Sequence, residues 1–101
     1  LMWSPAKAAI RAGRVQGTQW DDANIGSQSA AFNHDTRATG AFSLAVNDRT
    51  LASGEGSFAA GVLSQAAGTH SFAAGAGSVA AGIASVAVGQ ATLASGTASF
   101  A

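Results

Sequence analysis

The chain has 101 residues, a formal net charge of zero and no cysteine, and 48% of its residues are hydrophobic. A neutral chain lacks the basic surface that nucleic-acid binding requires, and without cysteine neither disulfides nor thiolate metal sites can form. The length allows one domain or one piece of a longer array. No apolar run long enough to span a membrane is free of Ser, Gly or Thr, so no transmembrane helix and no membrane contact are predicted.

Residues 1–28 differ in composition from the rest of the chain and are predicted to form a separate N-terminal segment. They contain both tryptophans and five charged side chains: Trp3, Trp20, Lys7, Arg11, Arg14, Asp21 and Asp22. The rest of the chain, residues 29–101, is organised by an internal repeat. The repeat is still in progress at Phe100 and Ala101, so we interpret the chain as a fragment of a longer protein.

The repeat is 14 residues long and consists of two halves of seven, each of the form Ser/Thr-x-Ala-x-Gly-x-x. Its first half begins at Ser29, Ser43, Ser57, Ser71, Ser85 and Ser99, and its second half begins at Thr36, Thr50, Ser64, Ser78 and Thr92. Five full repeats run from Ser29 to Ala98 without insertion or deletion. A fixed period of this kind indicates a repeat architecture.

The heptads do not predict a coiled coil. A glycine in every heptad costs a helix about 1 kcal/mol each time, and the seam of large aliphatic residues is missing. Within each half the alternation has period two, which is strand geometry. Each half is therefore predicted to be a strand of about five residues and a tight turn, and two halves make one coil of a parallel β-solenoid, or β-roll.

The third and fifth positions of each half carry small residues, which we assign to the interior and to the turns. The predicted interior alanines are Ala31, Ala45, Ala59, Ala73 and Ala87 in the first halves, and Ala38, Ala52, Ala66, Ala80 and Ala94 in the second. The predicted turn residues are Asn33, Asn47, Gly61, Gly75 and Gly89 in the first halves, and Gly40, Gly54, Gly68, Gly82 and Gly96 in the second. Asn in place of Gly indicates a left-handed backbone at the first-half position.

The second and fourth positions point outward, and the two halves differ there. The outward residues of the first halves are all apolar: Ala30/Phe32, Leu44/Val46, Phe58/Ala60, Phe72/Ala74 and Val86/Val88, followed by Phe100. Where one member of a pair is Phe, the other is Ala, which indicates a confined space of fixed volume. The second halves are mixed, with Arg37, Leu51, Gln65, Val79 and Leu93 at the first outward position, as in a solvated face.

Five repeats in register, with "SVAVG" at Ser85 to Gly89 and the opening "WSPAKAAIRAGRVQGTQWDDANIG" at Trp3 to Gly26, resemble the YadA-like head of trimeric autotransporter adhesins of Gram-negative bacteria. The resemblance covers the whole chain. It implies a left-handed parallel β-roll, three of which pack side by side as a homotrimer on the outer surface of the bacterium. In that arrangement the trimer interface is formed by Phe32, Leu44, Val46, Phe58, Phe72, Val86, Val88 and Phe100.

The resemblance also implies a function. Such heads are non-catalytic, carry no cofactor, and attach the cell to host matrix proteins, to host cells or to one another. The receptor-facing residues would then be on the mixed face, at Arg37, Leu51, Gln65, Val79 and Leu93. Because the first coil of a solenoid leaves strand edges and its interior open, Trp3 and Trp20 are predicted to plug that end.

The repeat pattern also has to be compared with two other classes of β-solenoid function. An ice-binding β-solenoid needs two regular Thr columns, and only Thr36, Thr50 and Thr92 align. Solenoid enzymes use longer or triangular coils with grooves lined by acidic residues or histidines, and the repeats predict no such groove. His34 and His70 occupy different turn positions, and the acidic residues do not recur at one repeat position, so neither a catalytic nor a metal site is predicted.

Overall fold

The computed structural model describes all residues from Leu1 to Ala101. The N-terminal segment contains β1 (Met2–Ser4), β2 (Ala9–Arg14) and a short 3-10 helix (Asp22–Asn24). Each coil then contributes a long and a short strand. The long strands are β3 (Ala30–His34), β5 (Leu44–Asp48), β7 (Phe58–Val62), β9 (Phe72–Ala76) and β11 (Val86–Gln90); the short ones are β4 (Arg37–Ala38), β6 (Leu51–Ala52), β8 (Gln65–Ala66), β10 (Val79–Ala80) and β12 (Leu93–Ala94).

The strands form two sheets that face each other across the interior. The long-strand sheet has the order β1-β2-β3-β5-β7-β9-β11, and the short-strand sheet has the order β4-β6-β8-β10-β12. Neighbouring coils pair in parallel with the repeat in register, as Ala59 with Ala73 and Ala66 with Ala80. Only β1 and β2 are antiparallel. The prediction of a parallel β-solenoid with 14-residue, two-strand coils is therefore confirmed.

The second-half strands are shorter than predicted, with two residues instead of about five. The reason is visible in the hydrogen bonds after each buried alanine. The carbonyl of Ala52 accepts from two successive amides, those of Thr39 at 3.0 Å and Gly40 at 3.2 Å. One acceptor shared by two donors breaks the regular ladder, so each short strand ends at its alanine.

The interior is a double column of alanines, one column from each sheet. Nine of the ten have 0% exposure and Ala94 has 2%. These are the ten residues that the repeat assigned to the interior. Serines at the start of the long strands are buried beside them, and most donate to the carbonyl of the glycine three residues earlier, as Ser57 Oγ does to Gly54 at 2.6 Å. Because the hydroxyl is bonded, the buried serine avoids the cost of an unsatisfied polar group.

The turn glycines of the two halves serve different purposes. After the long strands, Asn33 has φ 83° and Gly61 has φ 104°, the left-handed backbone that the Asn/Gly choice predicted. The second-half glycines do not have positive φ. They are required instead by close stacking of the coils, since a Cβ at Gly54 would lie 2.0 Å from the carbonyl oxygen of Gly68.

Two further corner positions are left-handed without any preference for glycine. Leu63 has φ 59° in the turn after the long strand, and Phe42 has φ 58° just before the next one. A left-handed non-glycine residue is strained. Each amide donates to a carbonyl of the preceding coil, Leu63 to Asp48 at 3.0 Å and Phe42 to Ser27 at 2.9 Å. Stacking of the coils therefore holds these corners in place.

Candidate interaction surface

The outward residues of the long strands form one continuous apolar face, which we define as Ala30, Phe32, Leu44, Val46, Phe58, Ala60, Phe72, Ala74, Val86, Val88 and Phe100. Most of these side chains are half-buried by their neighbours on adjacent coils, but Phe72, Val88 and Phe100 are 38%, 47% and 79% exposed. The rings of Phe58 and Phe72 stack with centroids 5.0 Å apart and planes within 6°. The face is therefore ordered as well as apolar.

The shape of this face follows from the pairing of Phe with Ala at the two outward positions of a strand. Phe58 pairs with Phe72 on the next coil, and Ala60 pairs with Ala74. Because residues paired across parallel strands lie on the same side of the sheet, the two phenylalanines make a ridge and the two alanines a trough beside it. Ridge and trough run along the roll rather than across it.

The apolar face extends further than the repeat predicted. Ile10 on β2 pairs with Ala30, Ala12 on β2 pairs with Phe32, and Trp3 on β1 pairs with Ile10. Cross-strand partners share a side of the sheet, so Trp3, Ile10 and Ala12 continue the same face. The prediction that Trp3 plugs the end of the roll is therefore wrong: its side chain is on the outer surface and 59% exposed.

Arg11 occupies the end of the interior where a tryptophan was predicted. It pairs with Ala31 and so continues the alanine column, and its exposure is 0%. Its guanidinium donates to the carbonyls of Ile10 at 2.9 Å and Ala38 at 3.0 Å, and to Ser29 Oγ at 2.9 Å. Burial away from water lowers the pKa of Arg11 from its usual value. The interior end is thus closed by a cation whose partners are carbonyl and hydroxyl oxygens.

The sequence offered a signal for this strand that was missed. Ile10-Arg11-Ala12-Gly13 aligns with Ala30-Ala31-Phe32-Asn33, and Gly13 has the same left-handed sign of φ, at 134°. This alignment is hard to recognise because Arg11 stands at the position of the interior alanine, and a charged residue is almost never fully buried without a partner.

Trp20 covers the end of the short-strand sheet rather than its interior. The side chain is half-buried, and its indole N–H donates to the carbonyl of Thr36 at 2.9 Å. Trp20 therefore covers one edge of the short-strand sheet, whereas the sequence predicted that it would plug the open end of the roll.

The outward residues of the short strands form a second face, the mixed face, defined as Arg37, Leu51, Gln65, Val79 and Leu93. Leu51 and Val79 are half-buried, whereas Leu93 is 63% exposed. Its two-residue strands present a narrower surface than the apolar face does.

A charged cluster is located at the turns of the first two coils. His34 Nδ1 is 2.7 Å from Asp48 Oδ1 and Arg49 donates to both oxygens of Asp48 at 3.1 Å, while His34 Nε2 is 3.4 Å from Asp35. The hydrogen bonds from Arg49 and then from His34 lower the pKa of Asp48, and Asp48 in turn raises the pKa of Arg49. The Arg49 and Asp48 side chains are 50% and 35% exposed, so water and salt screen their interaction.

No pocket opens on the surface, and no three His, Asp or Glu side chains are grouped so that they could hold a metal ion.

No family model and no curated protein match the chain.

The chain also contains no helix of the length and apolarity needed to cross a membrane. The apolar face is the largest and most regular of the interaction surfaces.

Proposed function

We propose that the chain is a non-catalytic head module of a bacterial surface adhesin, which assembles through its apolar face as a side-by-side homotrimer and attaches to host matrix, to host cells or to other bacteria. The observation that carries the proposal is the unbroken apolar face, from Trp3 on β1 to Phe100 beyond β11. Soluble monomers rarely expose an apolar surface of this length.

The relief of the apolar face favours a cyclic assembly with the rolls parallel. Rotation about an axis parallel to the roll brings the same coil of each copy to the same level. The Phe58 and Phe72 ridge of one copy then meets the Ala60 and Ala74 trough of the next, so large and small residues alternate at the level of these two coils. Each large apolar side chain buried there would contribute about 1.5–3 kcal/mol.

The rest of the surface supports adhesion by short-range contact. From Ser57 to Ala101 the chain has no charged side chain, so long-range electrostatic steering by this half is weak. Exposed apolar residues instead occur at turns, as Leu63 at 52% and Ile83 at 56% exposure, and on the mixed face, as Leu93 at 63%. Three copies of such weak sites, repeated over many fibres, would act through avidity.

The structure contains no observation that favours the ice-binding alternative. The aligned threonines point inward, with Thr36 at 0% and Thr50 at 1% exposure. They cannot present hydroxyls to an ice surface.

The assembly is tested by two double variants that add the same charges to opposite faces. Phe58→Asp with Phe72→Asp would place carboxylates on the apolar face, and we expect loss of the trimer. Leu51→Asp with Leu93→Asp changes the mixed face, and we expect the trimer to persist. Sedimentation equilibrium measures both. A wild-type chain that sediments as a folded monomer would contradict the proposed assembly.

Adhesion is tested separately with the assembled chain. An array of matrix proteins and glycans is probed with the wild type and with the mixed-face variant, Leu51→Asp with Leu93→Asp. Retention of the wild type and weaker retention of the variant would support a receptor-facing role for the mixed face. Absence of any retained protein or glycan would contradict adhesion to host matrix, and self-association of cells displaying the chain would then be the remaining form of the proposal.

A further inference from the structure

The apolar face carries no charged or hydrogen-bonding side chain, so side-chain size is what distinguishes one part of it from another. The strand register arranges these side chains in two columns along the roll. The first column is Ala30, Leu44, Phe58, Phe72 and Val86, and the second column is Phe32, Val46, Ala60, Ala74 and Val88. The sizes of the two residues at each level therefore define a pattern that a partner would have to match.

The large residues change columns along the roll. In the first coil the phenylalanine is in the second column, since Phe32 follows Ala30. In the third and fourth coils the phenylalanines are in the first column, where the rings of Phe58 and Phe72 stack at 5.0 Å. The second and fifth coils carry Leu or Val in both columns. The size pattern at one end of the face is therefore the reverse of the pattern in the middle.

In the cyclic assembly proposed above, the first column of one copy faces the second column of the next copy at the same level. Phe58 then faces Ala60 of the next copy and Ala30 faces Phe32, so every Phe meets an Ala. A copy displaced by two coils in one direction would bring Phe58 against Phe32, and a copy displaced in the other direction would leave Ala30 against Ala60. Two facing phenylalanines overfill the space and two facing alanines leave a cavity, and both are destabilising.

We infer that the order of large and small residues on the apolar face is a recognition pattern, and that the partner it fits is a second copy of this chain at the same level along the roll. The inference rests on the proposed function, because it concerns which chains the assembly accepts. A β-roll with the same apolar composition but a different order is rejected. Such discrimination comes from mismatches against the wrong partner as much as from the fit to the right one.

The test moves the ridge from the first column to the second without changing the composition of the chain. The moved-ridge variant carries four substitutions: Phe58→Ala, Ala60→Phe, Phe72→Ala and Ala74→Phe. The new phenylalanines are neighbours on adjacent strands, as the original ones are, and they have the apolar neighbours Val46 and Val88 in the same column. Because each Phe again faces an Ala of the next copy, we expect this variant to form a trimer by itself.

Mixing the two chains tests the recognition. Wild-type and moved-ridge chains, one of them labelled with heavy nitrogen because their masses are equal, are unfolded together, refolded and counted by native mass spectrometry. Each mixed contact opposes two phenylalanines or two alanines in both the third and the fourth coil. We expect mixed trimers at least about tenfold below random assortment, a ratio that corresponds to about 1.4 kcal/mol. The matched control exchanges residues of similar size, Leu44→Val with Val46→Leu, and should mix with the wild type at random.

The outcomes separate this inference from the proposed function. A wild-type chain that does not assemble would contradict the proposed function and this inference with it. Two kinds of trimer that mix at random, or a moved-ridge variant that folds but does not assemble, would overturn the recognition pattern alone.

A second pair of variants keeps the test decisive if the moved-ridge variant does not fold. Phe58→Ala and Ala60→Phe, in separate chains, give one copy with two alanines and another with two phenylalanines at the same level. When they are refolded together, Phe of one chain faces Ala of the other, and we expect more mixed trimers than random assortment gives. A random or lower proportion would overturn the inference.

Discussion

The tightest constraint in the molecule is the alanine column, and Ala80→Leu tests it. Ala80 is fully buried and pairs with Ala66 and Ala94 in its own sheet. An isobutyl group there must fit between those coils and the alanine column of the facing sheet, and no neighbouring side chain is large enough to yield space. Overpacking an ordinary core costs about 1–3 kcal/mol, and with no room for relaxation we expect at least about 3 kcal/mol, a large share of the roughly 5–15 kcal/mol that stabilises a typical domain.

The matched control is the next residue in the chain. Ala81 points outward on the short-strand sheet and is exposed, so Ala81→Leu adds the same group to the surface and should change the free energy of unfolding by no more than about 0.5 kcal/mol. Guanidinium unfolding followed by circular dichroism measures both variants. An Ala80→Leu midpoint equal to that of the wild type would refute the assignment of the interior, as would an Ala81→Leu chain that fails to fold.

Three further predictions concern the turns and the charged cluster. Gly54→Ala places a Cβ 2.0 Å from the carbonyl oxygen of the next coil, whereas the Cβ of Gly77→Ala meets open space at φ 69°. Thermal unfolding should therefore show a destabilisation of several kcal/mol for Gly54→Ala and of about 1 kcal/mol or less for Gly77→Ala. Ser57→Ala removes a hydroxyl bonded at 2.6 Å, whereas Ser71→Ala removes one with no partner. The free energy of unfolding, measured in urea, should therefore fall by about 1 kcal/mol more for Ser57→Ala than for Ser71→Ala. The neighbouring guanidinium and then the imidazole lower the pKa of Asp48 in the folded chain; its contribution to stability is therefore present above the unfolded-state pKa, near 4, and is lost as the pH falls through the folded-state pKa. Asp48→Asn should remove that part of the acid dependence, which unfolding midpoints measured between about pH 2 and pH 6 will show, and an unaltered profile would contradict it.

The fold could be predicted from the repeat because residue size and strand periodicity together constrain where each side chain lies. Alanine at the third position of every half leaves only a narrow interior, and period-two alternation then fixes which side chains point outward. Asn at the turns after the long strands, at Asn33 and Asn47, revealed the left-handed backbone that glycine alone would have left ambiguous. Each of these signals is local and can be recognised within a single repeat.

The N-terminal end could not be predicted in the same way. The size of Trp3 and Trp20 predicts that they plug the open end of the roll, but Trp3 pairs with Ile10 on the apolar face and Arg11 fills the end of the alanine column. A buried guanidinium is stable there because the carbonyls at a solenoid's first coil need donors, and this need arises only when the coil is in place. The left-handed corners at Phe42 and Leu63 have the same origin.

By itself, then, the sequence determined the coil length, the interior column, the two-strand coil and the apolar character of one outer face, because each depends on residue size and spacing within one repeat. Only the tertiary structure decided that the second strand stops after two residues, that the glycines after it serve close stacking, and that Arg11 and Trp20 close the roll. Those features depend on which carbonyls and amides meet between coils. That pairing is a property of stacked coils, and no single repeat contains it.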